Sequence, residues 1–290
     1  MGSTELFMAS KHSKRTKWLL SSRLIRPGFS VMQQKKVPLE MGFLDTPPPL
    51  AFAHRGGANA GSENTLESFY EAIRLGYSYI ETDVRGTADG KLVVFHDSNT
   101  FRMSGVRGKV SRMNFSELVE LVRTGHDRTT VPLLEDVLNR FPNTNFNIDV
   151  KDRIAAENIA DIINRTHSHD RVCITSFSTT RMTTVRSMLD TEVCTGAGIL
   201  ECVYFYILGR RPPGGAAVLQ LPMKLGILQI ITYGFLARAH RAGLVVHAWT
   251  LNDLASIRRA LELRVDGIMT DNLVLLKGEL EARGLWRKDV

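Results

Sequence analysis

Two histidines, three acids and two cations end or directly follow apolar runs of this sequence. These residues are His54, His96, Glu81, Asp83, Asp149, Arg55 and Lys151. Imidazole groups titrate near neutral pH and can take up or release protons during a reaction. Carboxylates hold hard cations, while arginine and lysine supply fixed positive charge for phosphate oxygens. Together, these residue types predict the hydrolysis of a phosphate ester.

The acids are spaced so that their side chains share a face. Glu81 and Asp83 are two residues apart in YIETDV, and on a strand such residues point to the same side. Asp149 and Lys151 repeat the spacing in NFNIDVKD. Adjacent carboxylates at an apolar strand end repel each other unless a cation lies between them. Three carboxylates without a soft ligand suit Mg²⁺ or Ca²⁺, although an outward, solvated face is the open alternative.

Short β-rich runs alternate with helix-like segments from residue 50 onward. The strand candidates are residues 50–54, 79–84, 92–97, 145–150, 171–177, 192–198, 216–222, 244–250 and 265–271. Most are continuously apolar, as expected of parallel strands covered on both faces. The length of this part is close to the roughly 250 residues of a (β/α)8 barrel, so we predict a single-domain α/β fold of the TIM-barrel type. The tight turn before residues 92–97 marks that run as an excursion beside the barrel, and an open doubly wound sheet is the alternative.

The segment NTLESFYEAIRLG has the pattern of a helix start. Asn64 stands at the expected cap, and Glu67 follows three residues later, as in a capping box. Apolar residues then recur at helical spacing until Gly76, which is placed to end the helix. The sequence therefore predicts a helix shortly after His54, capped by Asn64.

The net charge of +7 belongs entirely to the N-terminal part of the chain. Residues 1–39 contain eight Lys or Arg and one acid, Glu5, whereas the remainder has equal numbers of acids and bases. A neutral body argues against a nucleic-acid-binding domain, so no nucleic-acid partner is expected. The proline cluster TPPPL divides the chain into a basic N-terminal extension, residues 1–45, and a barrel, residues 46–290.

Two interpretations of the extension stay open. It is either a disordered basic tail or a helix around Trp18 and Leu24 that docks residues 1–39 on anionic lipid. It lacks the long apolar centre and the cleavage site of a secretory signal. Three cysteines without metal-type spacing indicate a reducing compartment. We therefore expect a cytoplasmic protein, with peripheral membrane contact as an option.

The longest apolar stretches, residues 199–209 and 225–237, are too short to cross a bilayer. Residues 199–215 follow a predicted strand and include Arg210 and Arg211 near their end. This insertion could line a path for an acyl chain or touch a membrane surface. A helix packed on the barrel is the other interpretation.

The motifs HRG, ENT, ETDV, TADG, VVFHD and IDVK, followed by SF, AWTLN and DGIMTD, occur in an order that resembles the glycerophosphodiester phosphodiesterase family. The resemblance runs from about residue 50 to residue 275. It implies a TIM barrel that uses a divalent metal ion to cleave glycerophosphodiesters to glycerol 3-phosphate and an alcohol. The sequence does not fix the head group, the choice between Mg²⁺ and Ca²⁺, or whether water or a substrate hydroxyl attacks.

The resemblance also implies a role for each candidate residue. His54 and His96 match the acid–base pair of the family. Glu81, Asp83 and Asp149 match metal ligands of the family, and Arg55 and Lys151 match its phosphate-binding positions. Glu63 matches an acid near the glycerol moiety or the metal. Trp249 matches an aromatic residue at the pocket wall.

Two positions depart from the family pattern. Asp149 stands where glutamate is usual, so direct ligation would need a displaced metal or an intervening water. Ser62 replaces the proline that normally precedes ENT. Aspartate at the first position is a trait of related sphingomyelinase D-like phospholipases, so lysophospholipase D or sphingomyelinase D-like activity on lipids is the main alternative.

A non-catalytic binding protein is a third interpretation, although such a chain should have lost a histidine or one of the metal-binding acids.

Overall fold

The computed structural model describes residues 42–57, 63–126 and 129–287. The predicted basic extension lies almost entirely outside these ranges, as does Ser62, so the division of the chain at residue 46 stays a prediction. Among the described helices, none combines the length and the apolar character that a bilayer crossing requires.

Eleven strands are present in the described residues. They are β1 (Leu50–His54), β2 (Tyr79–Gly86), β3 (Leu92–Val94), β4 (Asn145–Val150), β5 (Val172–Thr175), β6 (Cys194–Thr195), β7 (Val218–Leu221), β8 (Lys224–Leu225), β9 (Leu228–Gln229), β10 (Val245–Ala248) and β11 (Gly267–Thr270). The barrel strands are buried along most of their length, in agreement with their continuously apolar sequences.

Eight of these strands form a closed parallel barrel. Their order is β6-β5-β4-β2-β1-β11-β10-β7. The two ends of this row meet where Gly196, just after β6, pairs in parallel with Val218 of β7. The amide of Ala197 donates to the carbonyl of Val218 at 2.8 Å and completes the ring. The predicted TIM barrel is confirmed, and the open doubly wound alternative is wrong, because an open sheet would leave β6 and β7 as unpaired edges.

The excursion predicted beside the barrel is also present. β3 pairs antiparallel with β2, through Val94 with Val84 and Leu92 with Gly86. The strand ends at Val94, whereas the sequence predicts a strand through residue 97, so His96 lies in the loop that follows. An apolar cluster that includes Phe95 and Leu118 packs under this loop and fixes it on the barrel.

Ten helices occur in the described residues, and most of them follow a barrel strand. They are α1 (Leu66–Arg74), α2 (Phe101–Ser104), α3 (Phe115–Arg123), α4 (Leu134–Arg140), α5 (Arg153–Thr166), α6 (Thr179–Met188), α7 (Ile199–Leu208), α8 (Tyr233–Arg241), α9 (Leu254–Leu263) and α10 (Leu273–Ala282). α5 shows the common pattern: the Asp152 carboxylate accepts from the amide of Ala155, and Ile159 and Ile163 are buried against the sheet.

The start of α1 differs from its prediction by one residue. Thr65 is the cap, and its side chain and that of Ser68 each accept a hydrogen bond from the other residue's backbone amide. Asn64 instead has a left-handed backbone with φ of 58°, and its side chain is buried away from the helix. Asn64 fits the cap pattern by type, but its amide makes other contacts, which are described with the site below.

The inside of the barrel is filled by aromatic side chains near the amino ends of the strands. Phe43, which precedes β1, contacts Tyr79 edge-on with ring centroids 5.4 Å apart. Phe52 contacts the same Tyr79 ring at 5.2 Å. This apolar plug leaves the carboxyl ends of the strands for polar and charged side chains, as is usual for this fold.

Candidate active site

The predicted site residues lie at the carboxyl ends of neighbouring barrel strands. In the parallel register, His54 of β1 is level with Glu81 of β2, and Asp83 of β2 is level with Asp149 of β4. Lys151 directly follows β4, and its amide donates to the carbonyl of Val84. The strand order β1-β2-β4 therefore gathers side chains that are almost a hundred residues apart in the sequence.

His54 is held by an aspartate on one side and faces a glutamate on the other. Its Nδ1 lies 2.6 Å from Oδ1 of Asp271, and its Nε2 lies 3.7 Å from Oε2 of Glu81. Asn252 donates to the second oxygen of Asp271 at 2.6 Å and accepts from its amide at 2.8 Å. Burial opposes protonation of the imidazole, but the charges of Glu81 and Asp271 outweigh it and raise the pKa of His54.

His96 has a similar partner, in the loop after β3. Its Nδ1 lies 2.7 Å from Oδ1 of Asp97, and Nε of Arg102 donates to the other oxygen of Asp97 at 2.7 Å. Burial favours the neutral carboxyl, but the hydrogen bonds from Arg102 and His96 outweigh it and lower the pKa of Asp97. Both histidines therefore present Nδ1 to an aspartate, which leaves Nε2 for a substrate or a proton acceptor.

Asp83 is the most heavily partnered carboxylate of the site and is only 1% exposed. It is contacted by Nε of Arg55 at 3.0 Å, by Nζ of Lys151 at 2.8 Å and by Nδ2 of Asn64 at 2.9 Å. Burial raises the pKa of a carboxyl group, but Lys151 and Arg55 outweigh it, so the pKa of Asp83 is lowered. Asp83 is thus held as an anion by two cations and an amide.

Arg55 connects three acids. Its Nη1 donates to Glu63 at 3.0 Å, and its backbone amide donates to Oε2 of Glu81 at 3.2 Å. The residue has a left-handed backbone with φ of 54°, and Gly56 and Gly57 continue the turn with positive φ. A Cβ at Gly56 would lie 2.4 Å from Oγ of Ser68. The HRGG motif is therefore a tight turn that brings an amide and a guanidinium to the same rim.

Asp149 and Lys151 form a short ion pair, with 2.5 Å between Nζ and Oδ2. The other oxygen of Asp149 is buried and has no hydrogen-bond partner among the described residues. Burial is the main cause that raises the pKa of Asp149. Burial and the neighbouring Asp83 also raise the pKa of Glu81, to about 7. Positive charge at the site is therefore insufficient for all of its buried carboxylates.

The arrangement of the three acids differs from a ready-made metal cage. Lys151 lies between Asp83 and Asp149, and the described residues contain no group of three His, Cys, Asp or Glu side chains spaced to hold an ion. The prediction that Glu81, Asp83 and Asp149 are metal ligands therefore stays a prediction. The orphaned oxygen of Asp149 and the raised pKa of Glu81 are compatible with it, because both indicate unmet negative charge.

The sequence matches the glycerophosphoryl diester phosphodiesterase family over residues 54–275. A Mycobacterium tuberculosis protein named "Probable glycerophosphodiester phosphodiesterase 2" is 36% identical over 248 residues, which cover 82% of this chain and 92% of that protein. This chain belongs to the glycerophosphoryl diester phosphodiesterase family. The predicted resemblance and the predicted enzyme class, a glycerophosphodiester phosphodiesterase, are confirmed.

Other relatives in the family extend the comparison. Human lysophospholipase D GDPD1 is 26% identical and covers 76% of this chain and 82% of its own length. The crystal structure of a glycerophosphodiester phosphodiesterase from Thermotoga maritima is 26% identical, with a TM-score of 0.62 over 79% of this chain and 96% of that one. An Oleispira antarctica phosphodiesterase, solved with sn-glycerol-3-phosphate, has a TM-score of 0.67 at 20% identity over 80% of this chain and 97% of that one, which supports the fold alone.

Trp249, the predicted aromatic at the pocket wall, is half-buried just after β10. Its ring meets Phe177 edge-on with centroids 5.4 Å apart, and Phe177 is itself 54% exposed. The indole also packs on the apolar cluster inside the barrel. Trp249 thus contacts both the core and the rim, the two positions that the sequence left open.

Four residues contact the predicted set, and a fifth, Asn252, contacts one of those four, Asp271; sequence reasoning gave none of the five a role in the site. They are Asn64, Asp97, Arg102, Asn252 and Asp271. Asn252 and Asp271 occur in AWTLN and DGIMTD, the two motifs used for the family resemblance, so a signal was present. Arg102 donates to Glu63 at 2.5 Å across 39 residues, and nothing in the local sequence predicts this contact.

Proposed function

We propose that this chain hydrolyses glycerophosphodiesters to glycerol 3-phosphate and an alcohol, with two-histidine acid–base catalysis and a divalent cation. One observation carries the proposal: His54 and His96, each paired with an aspartate through Nδ1, stand on a rim that also holds Glu81, Asp83 and Asp149. Proton transfer next to concentrated charge is what cleavage of a phosphate diester needs.

The two imidazoles have complementary tasks in this proposal. One Nε2 takes the proton of the nucleophile, which is water or a hydroxyl of the substrate. The other gives a proton to the leaving oxygen of the alcohol. Asp271 and Asp97 orient the rings through Nδ1 and stabilise the imidazolium form that appears during transfer. These two aspartates are positioning residues, because they act through the histidines.

The phosphate group is proposed to lie against Arg55 and Lys151. Both cations are part-buried and already face carboxylates, so their positions are fixed before substrate binds. Glu63, between two guanidinium groups, is proposed to face the glycerol hydroxyls. Trp249 is proposed to form a wall of the same pocket, with its exposed edge toward the substrate.

A divalent cation, Mg²⁺ or Ca²⁺, is proposed to be held by Glu81, Asp83 and Asp149. Hard carboxylate oxygens suit either ion, and the oxygen of Asp149 that has no hydrogen-bond partner is available as a metal ligand. When bound, the ion would offset negative charge on the phosphate. Asp83 and Asp149 already pair with Lys151, whose ammonium group would balance the charge that the ion leaves.

The test is a panel of glycerophosphodiesters with different head groups, assayed for release of glycerol 3-phosphate. We expect turnover of at least one member, loss of activity in EDTA, and recovery when Mg²⁺ or Ca²⁺ is added. The double variant Glu81→Gln, Asp83→Asn should stay inactive after add-back. As a matched control, Glu67→Gln and Asp136→Asn lie outside the site and should retain activity. Activity that is indifferent to EDTA would exclude the metal.

A second candidate function is lysophospholipase D or sphingomyelinase D-like activity on lipids. The specific observation that favours it is the pair of Phe177 and Trp249, which provides an exposed apolar ledge at the rim. The human relative, lysophospholipase D GDPD1, carries the name of this activity. Turnover of lysophosphatidylcholine compared with glycerophosphocholine separates the two functions.

The cellular setting is also proposed. We propose a cytoplasmic protein with small-molecule substrates, without a nucleic-acid partner, and with membrane contact through residues 1–39 or 199–215. The basic extension and the apolar helix α7 support this proposal by their composition.

A further inference from the structure

The carboxyl ends of β5, β6 and β7 lead into a surface of exposed apolar side chains, which we call the apolar rim. It consists of Phe177, of Ile199, Leu200, Val203, Ile207 and Leu208 in α7, and of Leu225, Ile227 and Leu228 in the β8–β9 hairpin. These side chains are 48% to 103% exposed. Single exposed apolar residues are ordinary, but a group of them on elements that follow neighbouring strands indicates a surface that contacts something else.

Helix α7 is firmly attached by its inner face. Phe205 is fully buried and meets Phe235 of α8 edge-on at 5.4 Å. Glu201 is buried and forms an ion pair of 2.7 Å with Arg186. The exposed side chains on the outer face are therefore held in place, and they do not reflect a loosely packed helix.

The hairpin is anchored at its base and protrudes at its tip. Met223 and Ile231 are buried, and the carbonyl of Met223 accepts from the amides of Ile230 and Ile231. Gly226 allows the tight turn through its left-handed backbone, with φ of 58°. Ile227 follows it and is fully exposed at the tip. A protruding tip of this kind suits a fluid layer that can close around it better than a rigid protein surface does.

The segment that supplies most of the apolar rim is rich in basic residues. Residues 199–241 contain five Lys or Arg and one acid, Glu201, which is buried and paired. The five bases are Arg210, Arg211, Lys224, Arg238 and Arg241. Apolar side chains flanked by arginine and lysine are the composition of surfaces that bind anionic lipid.

The apolar rim is continuous with the candidate active site. The amide of Ile199 donates to the carbonyl of Phe177 at 2.8 Å, and Phe177 contacts the Trp249 ring. An apolar path therefore runs from α7 to the aromatic wall of the site. Along this path, an acyl chain could stay in contact with protein while its head group reaches the histidines.

We infer that the apolar rim docks on phospholipid bilayers that contain anionic lipid. Leu200, Ile207 and Ile227 enter the boundary between head groups and acyl chains, and the flanking arginines contact lipid phosphates. Substrates with an acyl chain then pass from the bilayer along Phe177 to Trp249. The inference rests on the proposed function in one respect, that the adjoining site acts on esters of glycerol phosphate.

The test is vesicle flotation of the full chain. Vesicles of phosphatidylcholine alone are compared with vesicles that also contain phosphatidylserine. Wild type should bind the second kind more tightly, and the double variant Leu200→Ser, Ile207→Ser and the single variant Ile227→Ser should each lose binding by about tenfold. The matched control is Val274→Ser, an exposed apolar residue of α10, which follows β11 on the side of the barrel away from β6 and β7. It should bind as wild type does.

Several outcomes would overturn the inference. These are absence of vesicle binding by wild type, equal binding by all variants, and equal loss in the Val274→Ser control. A change in oligomeric state of the variants without a change in vesicle binding would also overturn it, in favour of a second copy as the partner. Melting temperatures within a few degrees of wild type ensure that the variants are folded.

Hydrolysis of soluble glycerophosphocholine separates this inference from the proposed function. All rim variants should hydrolyse it as wild type does, because this substrate has no acyl chain. Rim-dependent vesicle binding by a chain that hydrolyses none of the tested esters would support the docking surface and overturn the proposed function. Hydrolysis without any vesicle binding would support the proposed function and overturn the docking surface.

Discussion

In the charged part of the barrel rim the side chains are buried and paired, whereas in the apolar rim they are exposed to solvent. At the ends of β1, β2 and β4, buried acids are surrounded by donors, and Asp83 alone has three. At the ends of β6 and β7, large apolar side chains face solvent, and Ile227 is fully exposed. Buried charge without partners is very unfavourable, so the charged part is fixed in advance. The apolar rim carries no such constraint and is available to a partner.

This difference indicates how the two regions divide the work. The charged part holds its groups in one geometry, which favours chemistry on a phosphate. The apolar rim has no preferred hydrogen-bonding geometry and favours contact with a fluid or apolar partner. Substitutions in the first region should therefore alter catalysis or stability, and substitutions in the second should alter binding.

The largest expected effect comes from the two histidines of the charged part. His54→Ala and His96→Ala should each lower kcat for a glycerophosphodiester by about 10² to 10⁴ with little change in melting temperature, because each removes a proton-transfer group. Steady-state kinetics and thermal melts measure both quantities. His167→Asn, at the exposed end of α5, is the matched control and should keep full activity. Near-normal turnover in both alanine variants would mean that the charged part does not perform the chemistry.

The next effect is on stability and concerns Lys151. Lys151→Met should lower the free energy of unfolding in EDTA by about 3 kcal/mol, because it leaves Asp83 and Asp149 buried with less positive charge. Added Mg²⁺ or Ca²⁺ should raise the melting temperature of this variant more than that of wild type. Denaturant unfolding with and without the ion measures the difference. Lys91→Met, on the surface, should show neither effect, and a similar response in both variants would contradict the proposed charge balance.

A smaller catalytic effect is expected from Asp271, which positions His54. Asp271→Asn should lower kcat about tenfold to a hundredfold and leave KM nearly unchanged, because the imidazole loses its orienting carboxylate but remains in the site. Asp253→Asn changes the cap of α9 without touching His54 and serves as the control. A rise in KM alone would assign Asp271 to substrate binding instead.

The smallest effect is expected where the two regions meet. Phe177→Ala should raise KM for lysophosphatidylcholine about threefold to fivefold, because the acyl chain loses one apolar contact. It should leave kinetics with glycerophosphocholine unchanged. Phe101, a phenylalanine of similar exposure on α2, provides the matched variant Phe101→Ala, which should affect neither substrate. Equal effects of Phe177→Ala on both substrates would remove the proposed acyl path.

The barrel, and the placement of the main candidate residues at its strand ends, could be predicted because their signals are local. Continuous apolar runs identify the strands, and the spacing of Glu81 and Asp83 places both on one face. The family motifs add His54 and His96. The limits of these signals are visible at β3, which ends before His96, and at α1, where Thr65 rather than Asn64 is the cap.

The partners of the site residues depend on contacts that no local pattern encodes. Asp271 lies 217 residues from His54 in the chain, and the two meet because β11 pairs with β1. Asn64 resembles a helix cap by type and position, yet its amide is needed by Asp83. The partners of such residues depend on which strand end they face, and the closed barrel determines this.

The sequence by itself determined which chemical groups this protein has, in which order, and that they stand at the ends of apolar strands. It could not determine that α7 would leave one face bare, because the same apolar run suits a buried helix equally well. Only the tertiary structure decided this, through the anchors Phe205 and Glu201 that turn one side of the helix inward. The physical reason is that composition fixes how much apolar surface a chain has, while packing decides how much of it is covered.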